Sequence, residues 1–135
     1  MYRVLIEPYK QTALRHIEML LNVRFHDGAA FHIYHAYEAI ICSALLKRQP
    51  QSMPPPAHPA KLDRFRQIFS GERTIAERTI RLSSRLYSVR NRVLYPELRD
   101  LSVIIPITVV SERQVRGYLI QVKQFVNLLI SHLRL

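Results

Sequence analysis

The chain has 135 residues, 48% of them hydrophobic and 22% charged, a balance that fits one globular domain and excludes general disorder. Its single cysteine, Cys42, excludes an internal disulfide and suits a reducing cytoplasm. A formal net charge of +10, with 16 of the 20 basic residues arginine, points to polyanions, or to an acidic protein partner that balances the charge.

The first residues, MYRVLIEPYK, lack a signal-peptide core. The most apolar run, residues 101–110, is too short to span a bilayer and is broken by Pro106, so no membrane segment is expected. Pro8 suits the first turn of a helix reaching about Val23, with Leu14, Ile17 and Leu21 facing inward. Asp27 and Gly28 interrupt the pattern, and Asp27 is placed to cap a second helix ending near Arg48. The stripe of that helix is Ala30, Ile33, Tyr37, Ile40 and Ala44, widened by Ile41 and Leu45. Five prolines in QPQSMPPPAHP then hold residues 49–59 near polyproline geometry as a connector inside the domain.

A short helix over 59–69 turns Leu62, Phe65, Ile68 and Phe69 inward. The next stretch, 70–95, carries the clearest helical pattern and is expected to be the longest and most central helix. Its stripe of Ile75, Thr79, Leu82, Leu86, Val89 and Val93 repeats at fours and threes; Ser70 is the expected N-cap and Pro96 the stop. On one flank of the stripe Arg78, Arg81, Arg85 and Arg92 form a ridge, partly offset by Glu77. Arg90 lies on the other flank, roughly 60° from the stripe centre, where its stem must run along apolar surface.

The segment PELRDLSVIIPITVV is β-branched but has no partner strand elsewhere, and reads as a buried extended connector. Ser111 with Gln114 makes a capping box before a last amphipathic helix carrying Tyr118, Val122, Phe125, Val126, Leu129 and Leu133. Gly117 inside it costs up to about 1 kcal/mol relative to alanine and leaves room for a close helix contact. The sum is one domain over 1–135, an all-α, up-and-down bundle of about five helices without internal repeats.

Chemistry has few places to sit. His32, His35 and Glu38 follow one another at threes, yet the wheel sets both histidines on a solvated face and no second ligand cluster exists, so no metal is expected. Cys42 falls off its helix's core stripe with no adjacent base to activate it. With three glycines, no P-loop, no G-x-G-x-x-G and no G-x-S-x-G, conventional nucleotide hydrolases are excluded, and no cofactor is expected. The ridge of Arg78, Arg81, Arg85 and Arg92 is the candidate nucleic-acid contact. Tyr34, Tyr87 and Tyr95 are the only aromatic platforms near basic helical residues.

The stretches FHIYHAYEAIICSALLKR, AHPAKLDRFRQIF, YSVRNRVLYP and QVKQFVNLLISHL together resemble the HEPN family, helical proteins of toxin modules and RNA-cleaving systems, over nearly the whole chain. Nucleases of that family carry an arginine, a polar residue, and a histidine four to six positions after the arginine. Arg90 and Asn91 match the start, while the fifth position after Arg90 is Tyr95. The resemblance implies a homodimer whose paired motifs face one cleft and promote attack of an RNA 2′-hydroxyl without metal, with Arg90, Asn91 and Tyr95 as the catalytic candidates. Arg90 would stabilise the developing phosphorane, but a tyrosine of pKa near 10 is deprotonated in only about one molecule in a thousand at pH 7. The expectation is therefore an RNA- or nucleotide-binding protein with weakened or lost endoribonuclease activity. Two alternatives stand beside it. One is a noncatalytic subunit of a toxin–antitoxin-like module, paired with a cognate nucleotidyltransferase or with an acidic protein; the other is an active ribonuclease using Arg90 with Tyr95 or a histidine such as His58.

Overall fold

The computed structural model describes residues 2–20, 26–94, 97–100, 102–104 and 111–135, with the backbone alone described at 26–27, 91–94, 97–99 and 102–104. The fold is an all-α helical bundle. After a 3-10 turn at Tyr2–Leu5 come α1 (Ile6–Met19), α2 (His26–Arg48), α3 (His58–Ile68), α4 (Arg73–Leu94) and α5 (Glu112–Leu133). Between α4 and α5 lies a small hairpin of β1 (Glu97–Arg99) and β2 (Ser102–Ile104).

The hub is α2, not α4. Among the described residues it is the longest helix, at 23 residues, and it packs against α1, α3, α4 and α5. Residues 39–46 are buried without a break, which is why an amphipathic stripe describes this helix poorly: a helix covered on every side needs no polar face. Ala30, Ala36, Ala39 and Ala44 let neighbouring backbones approach, while Ile33, Tyr37, Ile40, Ile41 and Leu45 fill the space between them. Among the described residues 28–48 form the one helix long and apolar enough to cross a membrane, and most of it is enclosed by the other helices.

The expected stripe of α4 faces this hub. Ile75, Leu82 and Leu86 are buried, and Val89 packs at the edge of the core. Thr79 and Ser83 are buried polar groups with partners: Thr79 Oγ1 donates to the Ile75 carbonyl at 2.8 Å, and Ser83 Oγ meets the Tyr37 hydroxyl at 2.7 Å. Each partner removes the cost of about 1–3 kcal/mol that an unsatisfied buried hydroxyl carries.

Three local expectations are corrected. Asp27 lies within the first turn of α2 rather than ahead of it. Ser70 does not cap α4: its hydroxyl donates to the Gln67 carbonyl at 3.0 Å, closing α3, and Glu72 precedes α4 instead, its carbonyl accepting from Ala76 N at 3.0 Å. The Glu72 carboxylate also binds Arg48 at 2.6 Å and His132 at 2.5 Å, tying the start of α4 to the ends of α2 and α5. The segment after Pro96 is not a lone extended connector, because its partner strand lies within it. Glu97 pairs with Ile104 and Arg99 with Ser102 across a two-residue turn, where Asp100 adopts a left-handed φ of 46° that short polar side chains tolerate. The rest of that expectation, at 105–110, lies outside the described residues.

The capping box of α5 forms as expected. Ser111 Oγ accepts from Gln114 N at 3.1 Å, and Gln114 Oε1 accepts from Ser111 N at 2.9 Å. Val122, Phe125, Val126, Leu129 and Leu133 are buried against the core. Gly117 makes no close helix contact: a Cβ there would meet nothing within 4 Å.

Candidate nucleic-acid interface

Helical spacing sets the ridge. Arg78, Arg81 and Arg85 are three and four residues apart on α4, so their side chains rise along one flank of the buried stripe. Helix α5 forms the facing wall. Arg78, Arg81, Leu82 and Arg85 of α4, with Gln121 and Gln124 of α5, line a groove of about 270 Å³. A second groove, of about 430 Å³, adjoins it through the shared Arg85 and Gln121, and adds Arg113, Gln114, Gly117 and Tyr118. The two make one trough along the α4–α5 seam.

Its charge is almost uncompensated. Glu77 is the only carboxylate that approaches the ridge among the described residues; it binds Arg73 at 2.8 Å and lies 3.9 Å from Arg81. The Glu112 carboxylate is taken by Arg116 at 2.5 Å. Four guanidinium groups thus share an open channel whose other polar side chains, three glutamines and Tyr118, are neutral, an arrangement that attracts phosphate.

Arg90 is elsewhere. Five residues beyond Arg85, it is turned about 140° around the helix and lies over the Tyr34 ring, its guanidinium carbon 5.2 Å from the centroid. Beneath it α2, α3 and α4 assemble a closed polar cluster. His58 Nδ1 is 2.6 Å from the Tyr34 hydroxyl, its ring stacks on Tyr87 at 4.8 Å, and Glu38 stands 4.0 Å away in an ion pair with the buried Lys61. Burial pushes the His58 imidazole down to about 4, so it is neutral at pH 7. Burial works to raise Glu38, but the Lys61 ammonium and the Tyr34 hydroxyl outweigh it and hold the carboxyl below its usual range. Burial likewise lifts the Tyr34 phenol far above the ordinary tyrosine range.

Of the residues nominated from sequence, Arg78, Arg81 and Arg85 converge in the trough, while Arg90 faces away from it. The side chains of Asn91 and Arg92, and all of Tyr95, lie outside the described residues. Tyr34 and Tyr87 are corrected as base platforms, being committed to the His58 cluster. His32 and His35 are corrected too. They face α1 rather than solvent: His32 Nδ1 is 2.9 Å from His16 Nδ1, and the His35 ring stacks on His16 at 5.3 Å. Among the described residues no group of three or more His, Cys, Asp or Glu is placed to hold a metal ion. Cys42 is buried rather than off the core, and burial raises its thiol to about 11, which leaves it protonated and unreactive.

The α5 wall was the part missed. Gln114, Gly117, Tyr118, Gln121 and Gln124 recur at threes and fours beside the apolar face of that helix, a polar stripe that would have pointed to a lined groove. No protein-family model, curated protein or solved structure matches the chain. What fold and surface define together is an all-α bundle with an arginine-lined trough between its two C-terminal helices.

Proposed function

We propose that this is a HEPN-like RNA-binding protein that seats the phosphate backbone in the α4–α5 trough, with endoribonuclease activity weakened or lost. One observation carries the reading. Arg78, Arg81 and Arg85 of α4 meet Arg113 of α5 in a single open channel, although about thirty residues of sequence separate the two walls. A solvated charged face would not need a second helix to add its own arginine and a row of amides.

Weak cleavage follows from the absence of a base. Tyr95 holds the position after Arg90 where the family places a histidine, and His58, the imidazole considered as its replacement, is shut in against Tyr34 and Tyr87. Removal of a positioned general base costs about 10² to 10⁴ in rate.

Salt-dependent anisotropy with a labelled RNA tests the binding. Counterion release predicts that log K falls against log salt by about 0.7 to 0.9 per phosphate contact, and that Arg81→Ala or Arg85→Ala each lowers the slope by about that amount on every sequence. No binding at low salt would reject the proposal and leave an acidic protein as the partner of the trough.

A further inference from the structure

We propose that the trough takes a single strand rather than a duplex, with a base lying on the Tyr118 ring while its phosphates follow Arg78, Arg81, Arg85 and Arg113; this rests on the RNA-binding reading above.

The two walls differ in kind. Along α4 the arginines from Arg78 to Arg85 span seven residues, about 10.5 Å at 1.5 Å per residue, in one line along one edge. Along α5 the wall is mostly neutral: Gln121 and Gln124, with Tyr118 beside Arg113. A duplex carries phosphates on both edges of each groove and hides its base faces in the stack, so it would leave the amide and aromatic wall unused. A single strand exposes a charged backbone on one side and base faces on the other. Stacking on an aromatic ring beside a basic track is how such strands are held without regard to sequence.

Tyr118 is suited to the task. It is half-buried, its inner edge packed on the core, so the ring loses little freedom when a base settles on it. Arg85 and Arg113 line the same groove and can hold the phosphates of the stacked nucleotide. Gly117 completes the argument. A glycine within a helix destabilises it relative to alanine, and packing does not call for this one, since a Cβ would meet nothing within 4 Å. What it leaves is open floor next to Tyr118.

The chain contains no tryptophan, so Tyr118→Trp introduces a unique fluorophore into the trough. Titration with an unlabelled single-stranded 12-mer RNA should quench its emission, while the same 12-mer paired with its complement should quench little and bind at least tenfold more weakly. Tyr118→Leu should weaken single-strand binding by about five- to a hundredfold without changing the salt slope, because a stack and not a phosphate contact is lost. Tyr118→Phe should bind like the wild type. Gly117→Leu, at an exposed position with no neighbour to disturb, should fold and yet lose single-strand affinity. Duplex binding as tight as single-strand binding, or unchanged affinity in both Tyr118→Leu and Gly117→Leu while Arg85→Ala still weakens binding, would overturn this inference and leave RNA binding standing. No binding of either RNA at low salt would overturn both.

Discussion

Between pH 6.5 and 4 the bundle should lose stability through His58, the imidazole enclosed by α2, α3 and α4. Its folded pKa is about 4, because burial disfavours the cation and Lys61 and Arg90 add to that effect against the opposing pull of Glu38. An unfolded histidine titrates near 6.5. Between those values the unfolded chain binds a proton that the folded chain refuses, so stability rises with pH across the window. The contribution is complete above about pH 6.5 and is lost as pH falls toward 4. A difference of about 2.5 units at 1.36 kcal/mol each sets a ceiling near 3 kcal/mol, a large share of a typical stability of about 5–15 kcal/mol. Burial also lowers His16 and His35, which add slope in the same direction, so the His58 share is read as a difference between proteins. Urea unfolding of wild type and His58→Gln at pH 7.5, 6.5, 5.5 and 4.5 measures it. His58→Gln should be the less stable at neutral pH, where it loses the Tyr87 stack, and its stability should fall less between pH 6.5 and 4.5. Equal slopes in the two proteins would refute the argument that a neutral His58 is enforced by its enclosure.

Ile40→Ala should cost about 2–5 kcal/mol in chemical denaturation, since Ile40 is fully buried in the hub helix and its neighbours cannot collapse into the space. Multi-angle light scattering at micromolar concentration should give about twice 15.9 kDa, the homodimer that a HEPN-like cleft requires; a clean monomer would count against a shared cleft. Tyr95→His should raise metal-free cleavage of a labelled RNA, by supplying an imidazole that is mostly neutral at pH 7, and Arg90→Ala in the same background should abolish the gain. Strong wild-type cleavage lost in Tyr95→Phe would show instead that tyrosine is the working group.

The periodicity of α4 was enough to place Ile75, Thr79, Leu82 and Leu86 inside, because that helix has one buried side and one wet side. The same reasoning under-described α2, whose Ala39, Cys42 and Leu46 lie off that stripe and are buried all the same. Periodicity reports contrast between faces, and a hub helix has none. His32 and His35 show the related limit: a wheel gives the direction of a side chain but not which neighbouring helix covers it, and here α1 brings His16 to meet them. The hairpin was hidden for a chemical reason. The sequence between the paired Arg99 and Ser102 lacks the glycine that usually marks a two-residue reversal. Half of the trough was legible as an arginine ridge; the other half needed the knowledge that α5 lies alongside α4.

That adjacency separates two properties which the sequence runs together. Arg85 and Arg90 are five residues apart on one helix, yet about 140° of rotation sends the first into the trough and the second onto Tyr34 above the His58 cluster. A charge change at either should therefore be felt in a different measurement. Arg85→Ala removes a guanidinium from open channel without touching the core, so it should lower RNA affinity and the salt slope while leaving the unfolding midpoint within about 0.5 kcal/mol of wild type. Arg90→Ala strips the cover from Tyr34 and alters the field at His58, so it should shift the pH dependence of stability and leave the salt slope of binding intact. If Arg90→Ala instead lowered the salt slope by as much as Arg85→Ala does, Arg90 would be a phosphate contact. The strand would then have to cross from the trough to the far side of α4, and the single-channel account of binding would fail.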